Sequence, residues 1–289
     1  MSTGGEASEA ERMYALNQRV FSELYSAESP EQIAANARRA PEYIAEQRRQ
    51  WVGQECFWHG ELIDRLPGAN VIEIGCGSGQ TAMTMLAMGA AHVTALEIND
   101  TTEHLVKEAA GILDYTDRID IRIGDMMSMD LDAKAYDIVI CESVLHHITP
   151  PQEDEFIART AELLAPSGMT RVSDPAVNSK TLDAIRWAIP TPWRPSSLQR
   201  EKFAAWQAED EHPLRDNSTR HVAELLGHHY GRVEWMTHGV IARVQRAFPD
   251  GEYLPKLRQR MVRFDAWLPD VVRNPLAAFH GLSAFDPLG

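Results

Sequence analysis

The sequence predicts an α/β protein: a doubly wound sheet of seven strands with an antiparallel last strand, a helical N-terminal cap and an insert after the fifth strand. Three observations carry this reading. From residue 66 onward, short β-branched runs alternate with helical stretches, the pattern of parallel strands joined by crossover helices. One run, VIEI, passes directly into glycines at 75, 77 and 79 and then into a helix. A stretch with five prolines and three tryptophans, 175–217, interrupts the alternation before it resumes.

Taken in order, residues 1–10 are polar and acidic and are expected to be disordered, without the apolar core of a signal peptide. Residues 11–65 read as a helical cap, in which Ser29 caps a helix whose first residue is Pro30. The strands VIEI, HVTALEI, IDIRIG, YDIVICE and MTRVSD follow within 66–174. After the 175–217 insert, Ser218 or Thr219 caps a helix over 218–230. RVEWMTH and GVIARVQ then read as two strands joined by a tight turn, an antiparallel edge pair. The core is thus expected at 66–174 and 218–247, the insert serves as a lid or substrate element, and 248–289 reads as a helical, proline-punctuated tail.

Forty-two Asp and Glu against 28 Lys and Arg give a formal charge of −14. That balance argues against nucleic acid and anionic membranes as partners and favours a small-molecule substrate. Cys56, Cys76 and Cys141 show no CxxC spacing, so a reduced, cytoplasmic protein without a disulfide framework or zinc site is expected. No apolar run approaches the roughly 18 residues of a membrane span. A homodimer is the candidate assembly.

The glycines imply a ligand, because a strand that runs into glycines and a helix N-terminus lets a bound molecule approach the backbone. Gly77 to Ala82 fits G-x-G-x-x-A, and Glu97 lies 20 residues after Gly77, which suggests a dinucleotide. The register argues otherwise: the strand ends at Gly75, so Gln80 falls where the third small residue should pack. What remains is E-x-G-x-G-x-G, with Glu73 two residues before Gly75.

This pattern resembles the first motif of the class I S-adenosylmethionine-dependent methyltransferases of small-molecule, natural-product type. Further segments resemble the family in order: Glu97 ending HVTALEI, Asp125 in RIGDMM, YDIVICESVLHHI at 136–148, and LLAPSGM at 163–169, where Ser167 replaces a glycine. The resemblance implies a Rossmann-like core binding S-adenosylmethionine and releasing S-adenosylhomocysteine. It implies cofactor contacts from Glu73, Gly75, Cys76, Gly77, Gly79, Glu97, Ile98, Asp125, Met126 and Glu142. Of these, Glu97 would accept both ribose hydroxyls, Asp125 would pair with the adenine amino group, and Met126 would add a backbone N–H and an apolar wall.

Methyl transfer from a sulfonium is an in-line displacement in which the substrate supplies the nucleophile. The enzyme's tasks are proximity, water exclusion and removal of a proton where there is one. His146 is the favoured base, with His147 and Glu142 beside it, while His59 and His212 are further histidines to place. His228 and His229 read as a helix end, where a cation suits the dipole. Tyr14, Tyr25, Trp58, His59, Trp187 and Trp193 are the substrate-contact candidates, pointing to a flat phenol or indole type of acceptor at O, N or C. The fourth motif reads Cys-Glu-Ser-Val, unlike enzymes that methylate base amino groups, and no acid cluster resembles a magnesium site, so a metal-independent mechanism is expected. Three alternatives remain: a cyclisation or rearrangement using the same cofactor, an NAD-dependent enzyme, or a non-catalytic cofactor-binding partner.

Overall fold

The computed structural model describes residues 9–25, 28–190, 194–210, 212–241 and 253–288. Its frame is one seven-stranded sheet: β1 (Asn70–Ile74), β2 (His92–Glu97), β3 (Ile119–Ile123), β4 (Tyr136–Glu142), β5 (Leu164–Pro175), β6 (Tyr230–His238) and β7 (Phe279–Pro287). The spatial order is β3-β2-β1-β4-β5-β7-β6. The strands β1 to β5 are mutually parallel, and β7 runs antiparallel between β5 and β6.

Side chains alternate across a strand, so a sheet covered on both faces needs apolar residues at consecutive positions. Val71, Val93, Ala95, Ile138 and Ile140 face one core; Ile72, Ile74, Leu96, Val139 and Cys141 face the other. Among the described residues, five helices precede the sheet: α1 (Glu9–Tyr25), α2 (Pro30–Arg38), α3 (Ala40–Gln50), α4 (Val52–Phe57) and α5 (Leu62–Arg65). The helices α6 (Gln80–Ala87) and α7 (Glu103–Ile112) cover the first core together with Ile33 and Ala37 of α2. On the other face lies α8 (Glu153–Leu163). The insert carries α9 (Lys180–Ala188) and α10 (Arg200–Ala208). It is followed by α11 (Thr219–Gly227), which joins α8, and by α12 (Leu254–Trp267) and α13 (Asp270–Leu276).

The local signals act as expected at two caps. Ser29 Oγ accepts from Gln32 N at 3.4 Å with Pro30 leading α2, and Ser218, rather than Thr219, caps α11 by accepting from His221 N at 3.2 Å. Residues 1–8 of the segment expected to be disordered lie outside the described residues, whereas Glu9 and Ala10 already belong to α1.

The edge pair needs correction. Among the described residues GVIARVQ gives β6 no partner: Gly239, at φ +95°, Val240 and Ile241 lie in no strand, and 242–245 lie outside the described residues. The partner is Phe279–Pro287, inside the tail expected to be helical. FHGLSAFDP carries no β-branched residue, so propensity hid it. The glycine there has a packing reason, since a Cβ at Gly281 would lie 2.1 Å from the Cys56 carbonyl oxygen. All three cysteines are buried and free, and no described helix is long and apolar enough to cross a membrane.

Candidate functional site at the carboxyl edge of the sheet

The parallel strands all end on one edge, and the order reverses between β1 and β4, where open α/β sheets form their ligand crevice. The glycine loop lies there. Gly75, Gly77 and Gly79 have φ of +74°, +53° and +80°, a region nearly closed to other L-residues. Two of them are also sterically closed: a Cβ would stand 2.6 Å from Val144 Cγ2 at Gly75 and 2.8 Å from Val106 Cγ2 at Gly79. Gly79 is the N-cap of α6 and brings no side chain to the helix N-terminus, which stays open to a ligand.

Glu97 organises the loop. Its Oε2 accepts from Gly77 N and its Oε1 from Ile98 N, both at 2.8 Å, joining the ends of β1 and β2. Burial raises its pKa against the pull of these backbone N–H groups. Gly75 N and Cys76 N both donate to the Leu96 carbonyl, so the Cys76 amide is committed to β2. Glu73 does not take the loop amides, which Leu96 and Glu97 engage. Its carboxyl turns toward the backbone N–H of Ala82 in α6, and Oε2 is buried without a partner. Burial, then Glu142 and Glu97, hold its pKa well above the usual range. An orphaned carboxyl beneath three left-handed glycines fits a ligand carrying a cationic or hydroxyl group.

After β3, Asp125 is exposed, with Oδ1 accepting from Met127 N at 3.0 Å, while Met126 is buried. This is the turn-capping geometry, and it leaves Asp125 at the rim of the crevice. At the end of β4, Glu142 accepts from Gln54 Nε2 at 2.5 Å and Thr81 Oγ1 at 3.3 Å. Burial pushes its pKa up to about 7, opposed by these two donors and reinforced by Asp174. Ser143, left-handed at φ +56°, then throws Val144 back over Gly75.

The next turn, Leu145–His147, carries the candidate bases. His146 is buried, with Nδ1 against Oδ1 of Asp174 at the end of β5. Its ring stacks on His212 of the insert at 5.1 Å between centroids, and His147 lies 4.1 Å from His146 and 4.7 Å from His212. One ring nitrogen from each lies within 4.8 Å of the others, a cluster the sequence expectation of no metal site did not anticipate. Asp210 holds His212 through Nδ1 at 2.6 Å. Behind them, His280 of β7 donates to or accepts from Thr219 Oγ1 at 3.1 Å, and burial lowers its pKa to about 4.

The substrate candidates scatter. Trp58 is a core residue, 2 % exposed and packed edge-on against Phe57, so its expected place on a substrate wall is corrected. It reaches the site at one remove, since Trp58 Nε1 donates to Gln54 Oε1 at 2.8 Å and Gln54 in turn holds Glu142. The His59 carbonyl accepts from Arg171, three residues before Asp174 on β5, which sets His59 back from the carboxyl edge. Burial and the Arg171 charge lower its imidazole pKa. Trp187 packs within the insert against Phe203 and Trp206, its Nε1 donating to Asp183 at 2.7 Å. Tyr14 lies exposed on α1, whose Arg12 donates to the Ala208 carbonyl at the end of α10, so cap and insert meet. Trp193 and the side chain of Tyr25 fall outside the described residues. His228 and His229 end α11 as expected, both shared by Asp154 at 3.2 and 3.1 Å.

Sequence reasoning missed Gln54, Thr81, Asp174 and Asp210. Only Asp174 left a trace, an acid closing the fifth strand-like run.

A family model described as a methyltransferase domain matches residues 71–168. The 27-O-demethylrifamycin SV methyltransferase of Amycolatopsis mediterranei is 28% identical over 120 residues, 39% of this chain and 43% of that protein, so the match spans less than half of the relative. A probable S-adenosylmethionine-dependent methyltransferase of Mycolicibacterium smegmatis is 25% identical over 230 residues, 78% of this chain and 82% of its own. The solved structure of a SAM dependent methyltransferase from Archaeoglobus fulgidus shares the fold with TM-score 0.51 at 14% identity, over 85% of this chain and 93% of that one. With the glycine loop, its acid partners and the β1/β4 crevice in order, residues 71–168 match a methyltransferase domain, and the sheet has the Rossmann-like fold of S-adenosylmethionine-dependent methyltransferases.

Proposed function

We propose that the protein binds S-adenosylmethionine at the glycine loop and transfers its methyl group to a small metabolite, releasing S-adenosylhomocysteine. The observation that carries this is the loop itself: three left-handed glycines with Gly77 N held by Glu97, over the buried, orphaned oxygen of Glu73. Gly75, Cys76, Gly77, Gly79 and Ile98 would line the cofactor, with Glu97 serving the ribose, Asp125 and Met126 the adenine, and Glu73 and Glu142 the amino-acid end. In the reaction the acceptor atom forms a bond to the methyl carbon as the carbon–sulfur bond breaks, and its electron pair returns to sulfur. The proton, where there is one, leaves at the histidine cluster, where Asp174 orients His146 and His147 stands beside it.

The acceptor is proposed to be a flat, apolar metabolite of phenol or indole type. The insert supports this by presenting Leu182, Ile185 and Ile189 of and after α9 as exposed apolar side chains, with Tyr14 on the facing cap. The Amycolatopsis relative is a methyltransferase of 27-O-demethylrifamycin SV, and a metabolite acceptor is proposed here too.

Calorimetry with S-adenosylhomocysteine tests the cofactor, and labelled methyl transfer to a panel of phenols and indoles tests the reaction. Glu97→Ala removes the acceptor of both Gly77 N and Ile98 N, and binding is expected to disappear. Unchanged affinity in that variant would refute the assignment. Cofactor binding with product formation but no label in the product would favour cyclisation or rearrangement, and tighter binding of NADH would favour the dinucleotide alternative.

A further inference from the structure

We propose that His146, His147 and His212 hold one divalent transition-metal cation of the zinc type. Imidazole nitrogens are the donor set such cations prefer, and three of them leave a coordination position open. The ring nitrogens already lie within 4.8 Å of one another. A tetrahedral zinc site needs them about 3.3 Å apart with each ring plane aimed at the cation, so the stacked rings have to rotate as well as approach.

The surroundings are built for it. Asp174 holds Nδ1 of His146 and Asp210 holds Nδ1 of His212, so a cation takes the opposite ring nitrogen of both. A carboxylate behind a histidine ligand is the usual outer partner of a bound metal, fixing the tautomer and strengthening the donor. Charge balances as well: two carboxylates flank three imidazoles, and Asp174 Oδ2 is buried without a hydrogen-bond partner. Arg215 is one charged neighbour of Asp174, and a bound divalent cation would add to that compensation.

The segments are also tied together. Arg215, three residues after His212, donates to the carbonyls of Leu145 and Ile148, on either side of His146 and His147, and its other arm pairs with Glu153 at 2.7 Å. The insert is thereby clamped to the turn that carries the other two ligands. His146 is the fixed ligand, and the exposed His212 is the one that swings out of the ring stack to close the site.

The metal would sit beside the Glu142 end of β4, and its open position would take an oxygen of the acceptor. A hydroxyl bound there would lose its proton more readily, and with His146 and His147 engaged as ligands that proton would leave to solvent in place of the histidine route. This last point rests on the proposed methyl transfer and narrows it to an oxygen-bearing acceptor; metal binding itself does not rest on it.

The test uses the full-length, untagged protein. Zn2+ is titrated by calorimetry, and Co2+ by visible absorption, which reports the coordination geometry. One equivalent of each is expected, with the Co2+ bands of a nitrogen-rich four- or five-coordinate site. His147→Ala and His212→Ala, neither in the hydrophobic core, should each weaken Zn2+ by at least about 100-fold, and Asp174→Asn by about 10- to 100-fold. Replacing both His228 and His229 by alanine, the other histidine pair beside an acid, should leave the stoichiometry unchanged. Substoichiometric binding, or retention in both His147→Ala and His212→Ala, would overturn the proposal. S-adenosylhomocysteine affinity measured in the same samples separates the two readings, since its loss with Zn2+ binding intact would refute only the proposed cofactor.

Discussion

Gly75→Ala is the substitution with the sharpest structural consequence. Gly75 stands at φ +74°, and a left-handed conformation costs an L-residue about 1–2 kcal/mol. Its new methyl would also meet Val144 Cγ2 at 2.6 Å, and a β-branched side chain held by its neighbours has few rotamers to escape into. Overpacking of that kind adds about 1–3 kcal/mol. The stiffer unfolded chain returns about 0.4–1 kcal/mol, leaving a net loss of about 1–5 kcal/mol. Gly68 is the control: φ is +80°, but no atom lies within 4 Å of its Cβ position. Gly68→Ala should therefore lose only about 0–1.6 kcal/mol. Guanidinium unfolding of both variants, and of Gly75→Ala combined with Val144→Ala, separates strain from clash. The double variant should recover about 1–3 kcal/mol relative to additivity. Equal losses at Gly75 and Gly68, or additivity of Gly75→Ala with Val144→Ala, would refute the argument that Val144 closes over the loop.

Three other outcomes follow from the site and its supports. Burial raises the Glu142 pKa from 4.5 to about 7, so the folded state keeps a proton that the unfolded state releases. Stability should fall as pH rises through that window, and Glu142→Gln should flatten the slope between pH 4.5 and about 7 in denaturant titrations; an unchanged slope removes Glu142 as its source. His146→Ala should retain S-adenosylhomocysteine binding while turnover drops on the order of 10²-fold, and an unaltered rate moves proton removal elsewhere. Tyr230 Oη sits between Thr160 Oγ1 and Thr170 Oγ1 at 2.9 and 2.8 Å in the second core, so Tyr230→Phe should lose about 1–2 kcal/mol without changing cofactor affinity.

What could be read from the sequence was local. Ser29 before Pro30, and Ser218 before α11, act through hydrogen bonds spanning three residues. The glycine loop is legible because only glycine tolerates three positive φ values in five positions, and Glu97 because a carboxylate closing the second strand must lie beside it. β7 was hidden because its strand character comes from burial between β5 and β6 rather than from its own residues. Trp58 was misplaced because an aromatic beside a predicted site looks the same whether it faces the crevice or the core.

By itself, then, the sequence determined the first five strands along the chain, the glycine loop and the acids at successive strand ends, each set by sterics or hydrogen bonding within a few residues. Only the tertiary structure decided which of those groups meet. His146 and Asp174 are separated by 28 residues along the chain and His146 and His212 by 66, and they come together because parallel strands deliver their ends to one edge while Arg215 draws the insert down onto it. The same packing leaves Glu73 and Asp174 each with a buried oxygen unpaired, a consequence of where helices and strands settle.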